Sequence, residues 1–163
     1  CSGANTMVLE ISATPYIFTF KLWDWGRVDL DGKPRPIHLE HGAANIQWYR
    51  NTEWVHRNLV NAVAEVYTGE NGTVVRTGLH EREFLDTFRF TTSSALPVHR
   101  NGSVHMLNLV DGTRAVLRSK SDAFLPLELH YAETCIVPQA AGDYEIYSPD
   151  GSEVKVILAC VRN

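Results

Sequence analysis

The sequence is poor in cysteine, with three among 163 residues: Cys1, Cys135 and Cys160. An odd number without close spacing excludes a disulfide framework. Cys135 sits in Thr134-Cys135-Ile136-Val137 and Cys160 in Leu158-Ala159-Cys160-Val161, where both read as small core residues inside strands. A reducing compartment, the cytoplasm, is the expected location. The chain also lacks an excess of positive charge, since 15 Lys and Arg stand against 19 Asp and Glu, a net charge of −4. A phosphate-backbone binder needs a basic stripe, so nucleic acid is not an expected partner. No apolar run reaches the roughly 18 residues of a membrane span, and no membrane partner is expected. Low-complexity stretches and internal repeats are missing. So are Gly-X-Ser-X-Gly, Gly-X-Gly-X-X-Gly and the phosphate-cradling P-loop.

What remains is an ordinary globular composition: 44% apolar, 21% charged and 10% aromatic. A chain of this length buries roughly 70% of its unfolded surface, enough for a core without staples. The first residue is Cys1 rather than Met. A truncated chain, an excised fragment, a lipoprotein lipidated at Cys1 and an N-terminal nucleophile enzyme are the readings. The apolar run Met7-Val8-Leu9-Glu10-Ile11 follows too soon for a lipoprotein tether. Nothing nearby argues for a poised thiol. Entry in mid-domain is the best expectation.

Met7 to Ile11 reads as a strand. Tyr16 to Trp23 reads as a second, with Tyr16, Phe18, Phe20 and Leu22 on one apolar face and Ile17, Thr19, Lys21 and Trp23 on the other. Asp29 to Pro36 is a loop turned by Asp31-Gly32. His38 to Trp48 accommodates a short helix. Thr52 is placed to cap a longer one from Glu53 to Tyr67, with Val55, Leu59, Val63 and Val66 as its stripe and Gly69 as its stop. From Thr73 onward the pattern is strand and turn. Asp111-Gly112 predicts a hairpin between 103–110 and 113–119, and Ser148-Pro149-Asp150-Gly151 predicts another between 144–147 and 153–161. This half reads as a small antiparallel barrel or jelly roll.

Four groupings are candidates for chemistry. His38 and His41 stand three apart, as metal ligands on one helix face would, or simply as capping and surface residues. His99 and His105 bracket Asn101-Gly102 and could approach each other across a turn. Trp23-Asp24-Trp25-Gly26-Arg27 joins two indoles, a carboxylate and a guanidinium, suited to stacking on sugars or holding anions. The alternative is an Asp and an Arg paired at a loop. Lys21, on a concave face, needs an anion or a carboxylate, and Glu10 is that partner if the two strands pair; otherwise both charges face water.

Asn5 to Ser12, Phe20 to Arg27 and Asp31 to Leu39 together resemble the C-terminal half of type I phosphomannose isomerases, zinc enzymes of the cupin superfamily. The resemblance is dense over residues 5–46 and rests on several spaced identities. Ala132-Glu133-Thr134-Cys135-Ile136-Val137-Pro138-Gln139-Ala140-Ala141-Gly142-Asp143 is similar to the second cupin motif, Gly-X5-Pro-X-Gly-X-X-His. Ala132 and Ala140 replace its glycines, and Asp143 stands where its histidine ligand would be. With these departures the resemblance implies a metal-free barrel here, and it implies a chain without the zinc set, because the family's zinc ligands precede the matched stretch. It also implies site residues: Glu10 matches a pocket carboxylate, Lys21 takes the place of an active-site arginine if one inserted residue is allowed, and Arg27 closes the motif. Lys supplies a point charge where Arg supplies a planar fork.

The expected fold is all-β, a cupin-like jelly-roll barrel with one or two short helices. Residues 1–40 would be trailing strands of a first cupin, 41–69 a helical connector and 70–163 a second, degenerate barrel. The expected function is that of the C-terminal part of a mannose-6-phosphate isomerase-like enzyme, interconverting an aldose and a ketose phosphate by moving a proton between C1 and C2. Zinc belongs to the parent family, with none expected in this chain alone, which would be inactive in isolation. Its partners would be a sugar phosphate, the missing N-terminal half, or a second copy through exposed strands. Three rivals stand beside this. One is a non-catalytic carbohydrate-binding module using Tyr131, Tyr144 and Tyr147. Another is a purely structural half, and the last is a metal enzyme built on His99 and His105.

Overall fold

A computed structural model describes residues 6–12, 19–78 and 80–162. The contacts divide the chain into two compact units. One is Val8–Val60; the other holds the chain from Asn61 onward, with Met7.

The larger unit is all β. Its strands are β1 (Ala64–Gly69), β2 (Gly72–Arg76), β3 (Leu85–Thr92), β4 (Ala95–Val98), β5 (His105–Asp111), β6 (Arg114–Ser119), β7 (Leu127–His130), β8 (Thr134–Val137), β9 (Tyr144–Tyr147) and β10 (Val154–Val161). They form a six-stranded sheet in the order β1-β2-β3-β10-β5-β8 and a four-stranded sheet in the order β4-β9-β6-β7, paired antiparallel throughout. Period-two patterning explains the packing. In β10, Val154, Val156, Leu158 and Cys160 are buried, every second residue facing inward. Leu107 and Leu109 of β5, Ala115 and Leu117 of β6, and Tyr144 and Ile146 of β9 complete a core drawn from both sheets. Asp86 fastens the rim of the larger sheet by accepting from Arg76 Nε at 3.0 Å and Arg162 Nε at 2.9 Å.

Both expected hairpins prove to be corners. β5 and β6 lie in different sheets, and so do β9 and β10. Asp111-Gly112 therefore carries the chain across the core instead of joining ladder partners. Gly112 is required there twice over. Its φ is 95°, and a Cβ would lie 2.9 Å from Val154 Cγ1 and 3.0 Å from the Glu153 carbonyl oxygen. At the second corner Asp150 Oδ1 accepts from Ser152 N–H at 3.0 Å and Ser152 Oγ at 2.6 Å, and Gly151 has φ 76°. A tight turn looks the same in sequence whether its flanking strands pair or diverge.

The helix expected over 53–67 is also corrected. Its first part is real: α2 runs Thr52–Asn58, with Asn51 as the cap, accepting from Trp54 N–H at 3.0 Å. The chain then turns through Asn61 (φ 53°) and becomes strand β1. The Val55–Leu59–Val63–Val66 stripe matched helical spacing, but the β-branched Val63 and Val66 and the pairing of β1 with β2 favour extension. Gly69 does not stop a helix; it faces Gly72 across the hairpin turn.

Val8–Val60 holds the other helix, α1 (Leu39–Asn45), inside the segment expected to contain one. Gly42 of α1 comes so close to Leu22 that a Cβ would lie 2.3 Å from its Cδ2. The expected strands over 7–11 and 16–23 are not seen: residues 7–11 and 19–23 belong to no ladder, and Tyr16, Ile17 and Phe18 lie outside the described residues. A strand exists only by pairing, and these segments find no pairing partner among the described residues.

Candidate functional site

In Val8–Val60 the chemistry centres on Asp24. Its carboxylate accepts from Arg35 Nε at 2.6 Å and Nη2 at 2.5 Å, a two-pronged pair. A tight turn builds this geometry. Trp25 (φ 56°) and Gly26 (φ 67°) take left-handed conformations, Arg27 N–H donates to Asp24 O at 2.9 Å, and Val28 bridges Pro34. The hydrogen bonds from Arg35 hold the Asp24 carboxyl below its ordinary range, and Lys21 and Arg27 add a weaker pull. The predicted residues Lys21 and Arg27 thus flank one carboxylate, but it is Asp24, not Glu10. Glu10 is exposed, and no ion pair joins it to Lys21 among the described residues. The loop pairing of Asp and Arg is realised, with Arg35 as the arginine. Trp23 and Trp25 stand out in solvent, 68% and 78% exposed, with ring centroids 6.2 Å apart and nearly perpendicular. Asp24→Asn should loosen this unit, which limited proteolysis will register as severalfold faster cleavage within residues 20–40.

His38 and His41 are held by packing. His41 stacks on Phe20 with centroids 5.7 Å apart, His38 meets the same ring edge-on at 6.0 Å, and His38 Nδ1 accepts from Lys21 N–H.

The barrel encloses a second candidate, a cavity of about 490 Å³. That is in the size range of small-molecule pockets. Phe88 and Phe90 of β3 and Leu158 and Cys160 of β10 form one wall, each pair two residues apart and so on one face of its strand. Leu96 and Val98 of β4 supply the other. Val66 and Tyr67 stand at the mouth. Successive strand residues normally face opposite ways, but the register of β1 on β2 shifts between Glu65 and Tyr67, and this bulge at Val66 turns both side chains to the cavity.

The polar end of the cavity is a closed network. Asn101 Nδ2 donates to Cys160 Sγ at 3.2 Å and Val161 O at 3.5 Å, leaving Oδ1 to accept from His105 Nε2 at 3.1 Å and Ser103 N–H at 3.3 Å. Nε2 therefore carries the imidazole proton, and Nδ1 accepts from the Tyr144 hydroxyl at 2.9 Å. Burial, reinforced by the nearby Arg100 charge, pushes the His105 pKa down to about 4. Burial raises the thiol of Cys160 and the phenol of Tyr144. All three are neutral near pH 7.

His99 and His105 both line this cavity, yet each is committed elsewhere, His99 through Nδ1 to Asp143 Oδ2 at 2.8 Å. Asp143, at the place of the cupin histidine, also accepts from Arg100 N–H at 2.9 Å. No three His, Cys, Asp or Glu side chains converge as a metal cage among the described residues. One imidazole beside one engaged carboxylate does not fit the donor set zinc requires. The tyrosines Tyr131, Tyr144 and Tyr147 do not gather either: Tyr144 is core, Tyr147 lies under Arg118 at 3.8 Å, and Tyr131 is exposed. Sequence reasoning passed over Phe88, Phe90 and Leu96, and took Asn101 only as a turn residue. The alternation of Phe88-Arg89-Phe90 was the available signal for an inward face.

Two antiparallel sheets closing over one core, entered at one end, define a cupin-like barrel. Among solved structures, the mannose 6-phosphate isomerase from Bacillus subtilis is similar to this chain, with a TM-score of 0.58 at 13% identity over 86% of this chain. The match takes in 39% of that isomerase, so this chain spans well under half its length. A cupin 2 conserved barrel domain protein from Salinispora arenicola CNS-205 has a TM-score of 0.47 at 11% identity, covering 60% of this chain and 81% of its own. The polyketide cyclase RemF from Streptomyces resistomycificus gives 0.46 at 14%, covering 61% and 74%. No protein-family model matches the chain, and no curated protein is similar to it in sequence. No helix of the described residues is long and apolar enough to cross a membrane.

Proposed function

We propose that this chain is the C-terminal portion of a sugar-phosphate isomerase of the phosphomannose type, inactive in isolation. The observation that carries this is the extent of the likeness to the Bacillus subtilis isomerase. It covers 86% of the chain, more than residues 61–163 can supply, and so takes in part of Val8–Val60. The grouping of Lys21, Arg27 and Arg35 around Asp24 supports a role for this segment in supplying positive charge to a pocket for an enediolate or phosphate. Zinc would be held by the preceding portion of the parent protein, which is the natural partner. Pairing with a second copy is the alternative assembly; the strand edges expected for it over 7–23 form no ladder among the described residues, and the exposed edge strand β1 offers an open backbone instead. Unpaired Cys135 and Cys160 suit the cytoplasm. In a coupled assay with mannose 6-phosphate and added zinc, the purified chain should show no turnover. Turnover by the chain alone would refute this reading.

The exposed pair Trp23 and Trp25 beside Asp24 and Arg35 favours a second reading, a non-catalytic carbohydrate-binding module. Calorimetry against sugars and sugar phosphates separates the two. Sugar binding that survives chelation and is lost in Trp25→Ala supports the module.

A further inference from the structure

We propose that the barrel cavity is a binding site for a small, uncharged, largely apolar molecule, a flat ring system with at most one polar group. This inference does not depend on the isomerase reading. Three observations converge on it. The first is the absence of fixed charge: no lysine, arginine, aspartate or glutamate is among the described residues lining the cavity, and His105 is neutral near pH 7. A phosphate or carboxylate placed there would lose water without meeting a cation on the lining, because the nearby Arg100 guanidinium is held by Gln139 Oε1 and the carbonyls of Ser103 and Val137.

The second is that the inner polar groups are already spent. Asn101 Oδ1 accepts from His105 and Ser103, its amide nitrogen donates to Cys160 and Val161, and both nitrogens of His105 are engaged. A sugar would have to bury several hydroxyls against walls that return few hydrogen bonds, and each unpaired one costs affinity. An apolar ring loses nothing comparable.

The third is shape. Phe88 and Phe90 on one side face Leu96 and Val98 on the other, and polar side chains occur at the rim, where Asn71 and the exposed His99 stand. One hydroxyl or ring N–H on the ligand can point to that rim while the rings sit inside. The β1 bulge that turns both Val66 and Tyr67 to the mouth adds apolar surface where the ligand enters.

Titration calorimetry of the whole chain with indole and with 2-naphthol, beside mannose 6-phosphate, tests this. Both ring compounds should bind saturably, one per chain, and the sugar phosphate should not compete. Backbone amide shifts in Val74, Phe90 and Leu96 should move with the same saturation. Val66 is exposed at the mouth, so Val66→Trp can fill the entrance without opening the core, and should weaken binding about tenfold or more. The control is Leu125→Ser, in a separate apolar groove of about 450 Å³ bounded by Phe124, Leu127 and Ile136, and it should leave binding unchanged. Absence of saturable ring binding overturns the proposal. So does competition by mannose 6-phosphate, or binding that is insensitive to Val66→Trp but abolished by Leu125→Ser.

Discussion

Leu107→Ala lowers the unfolding free energy of the barrel by about 3 kcal/mol, within the roughly 2–5 kcal/mol range of fully buried leucines. Leu107 has no exposed surface and lies in the middle of β5, opposite Leu158 of β10 on one side and Cys135 of β8 on the other. Its loss removes apolar burial and leaves a hole between the sheets. Antiparallel ladders hold the backbone on both flanks, so the strands cannot slide inward to fill it. Urea unfolding followed by far-UV circular dichroism gives the change as a shift in midpoint at constant slope. Leu125→Ala is the matched control: Leu125 is exposed, and its truncation should move stability by no more than about 0.5 kcal/mol.

Acidification from pH 7 to about pH 4 should cost the barrel roughly 3 kcal/mol through His105 alone. The unfolded chain protonates this imidazole near its ordinary 6.5, whereas the native one resists until about 4. Between those values the unfolded state binds more protons, so stability rises with pH across the window and falls as the solution is made acid. Protonating the native ring would put a second positive charge beside Arg100 and break the acceptance from the Tyr144 hydroxyl. The carboxylates Asp111, Asp143, Asp150 and Glu133, all held below their usual range, add losses as the pH falls toward their ordinary values and below, with Glu133 first. Urea midpoints at pH 7 and pH 5.5 therefore report chiefly on the histidine. His105→Gln should be less stable at pH 7 and nearly flat over the same interval. An equally steep decline in the variant would assign the acid sensitivity elsewhere.

The architecture was legible where side-chain periodicity reports one buried face. The alternation along 154–160 marks a strand under a core whatever its neighbours are. Pairing was not legible. Asp111-Gly112 and Ser148–Gly151 are turn sequences, and only the three-dimensional path decides whether the next strand returns beside the last or crosses to the facing sheet. Residues 55–66 misled in another way: the four apolar residues at spacings of three and four run across two elements, with Val55 in α2 and Val66 in the bulged strand β1. At the first candidate site Asp24 and the loop beyond it could be read, but Arg35 could not be chosen over Arg27. That choice depends on a turn folding the chain back through Val28 and Pro34. The cavity escaped because its lining comes from six strands and three loop residues that no local window contains.

The place of β10 bears on how the barrel is made in a cell. It lies between β3 and β5 and pairs with both along nearly its whole length. While a ribosome is still translating residues 85–150, these two strands have no shared neighbour and present open backbone edges to solvent. The larger sheet can join up only after residues 154–161 have left the exit tunnel. A nascent chain stalled before that point is a ready substrate for chaperones, or for clumping with its own kind. Release of a polypeptide lacking those eight residues should yield inclusion bodies in place of a smaller folded domain.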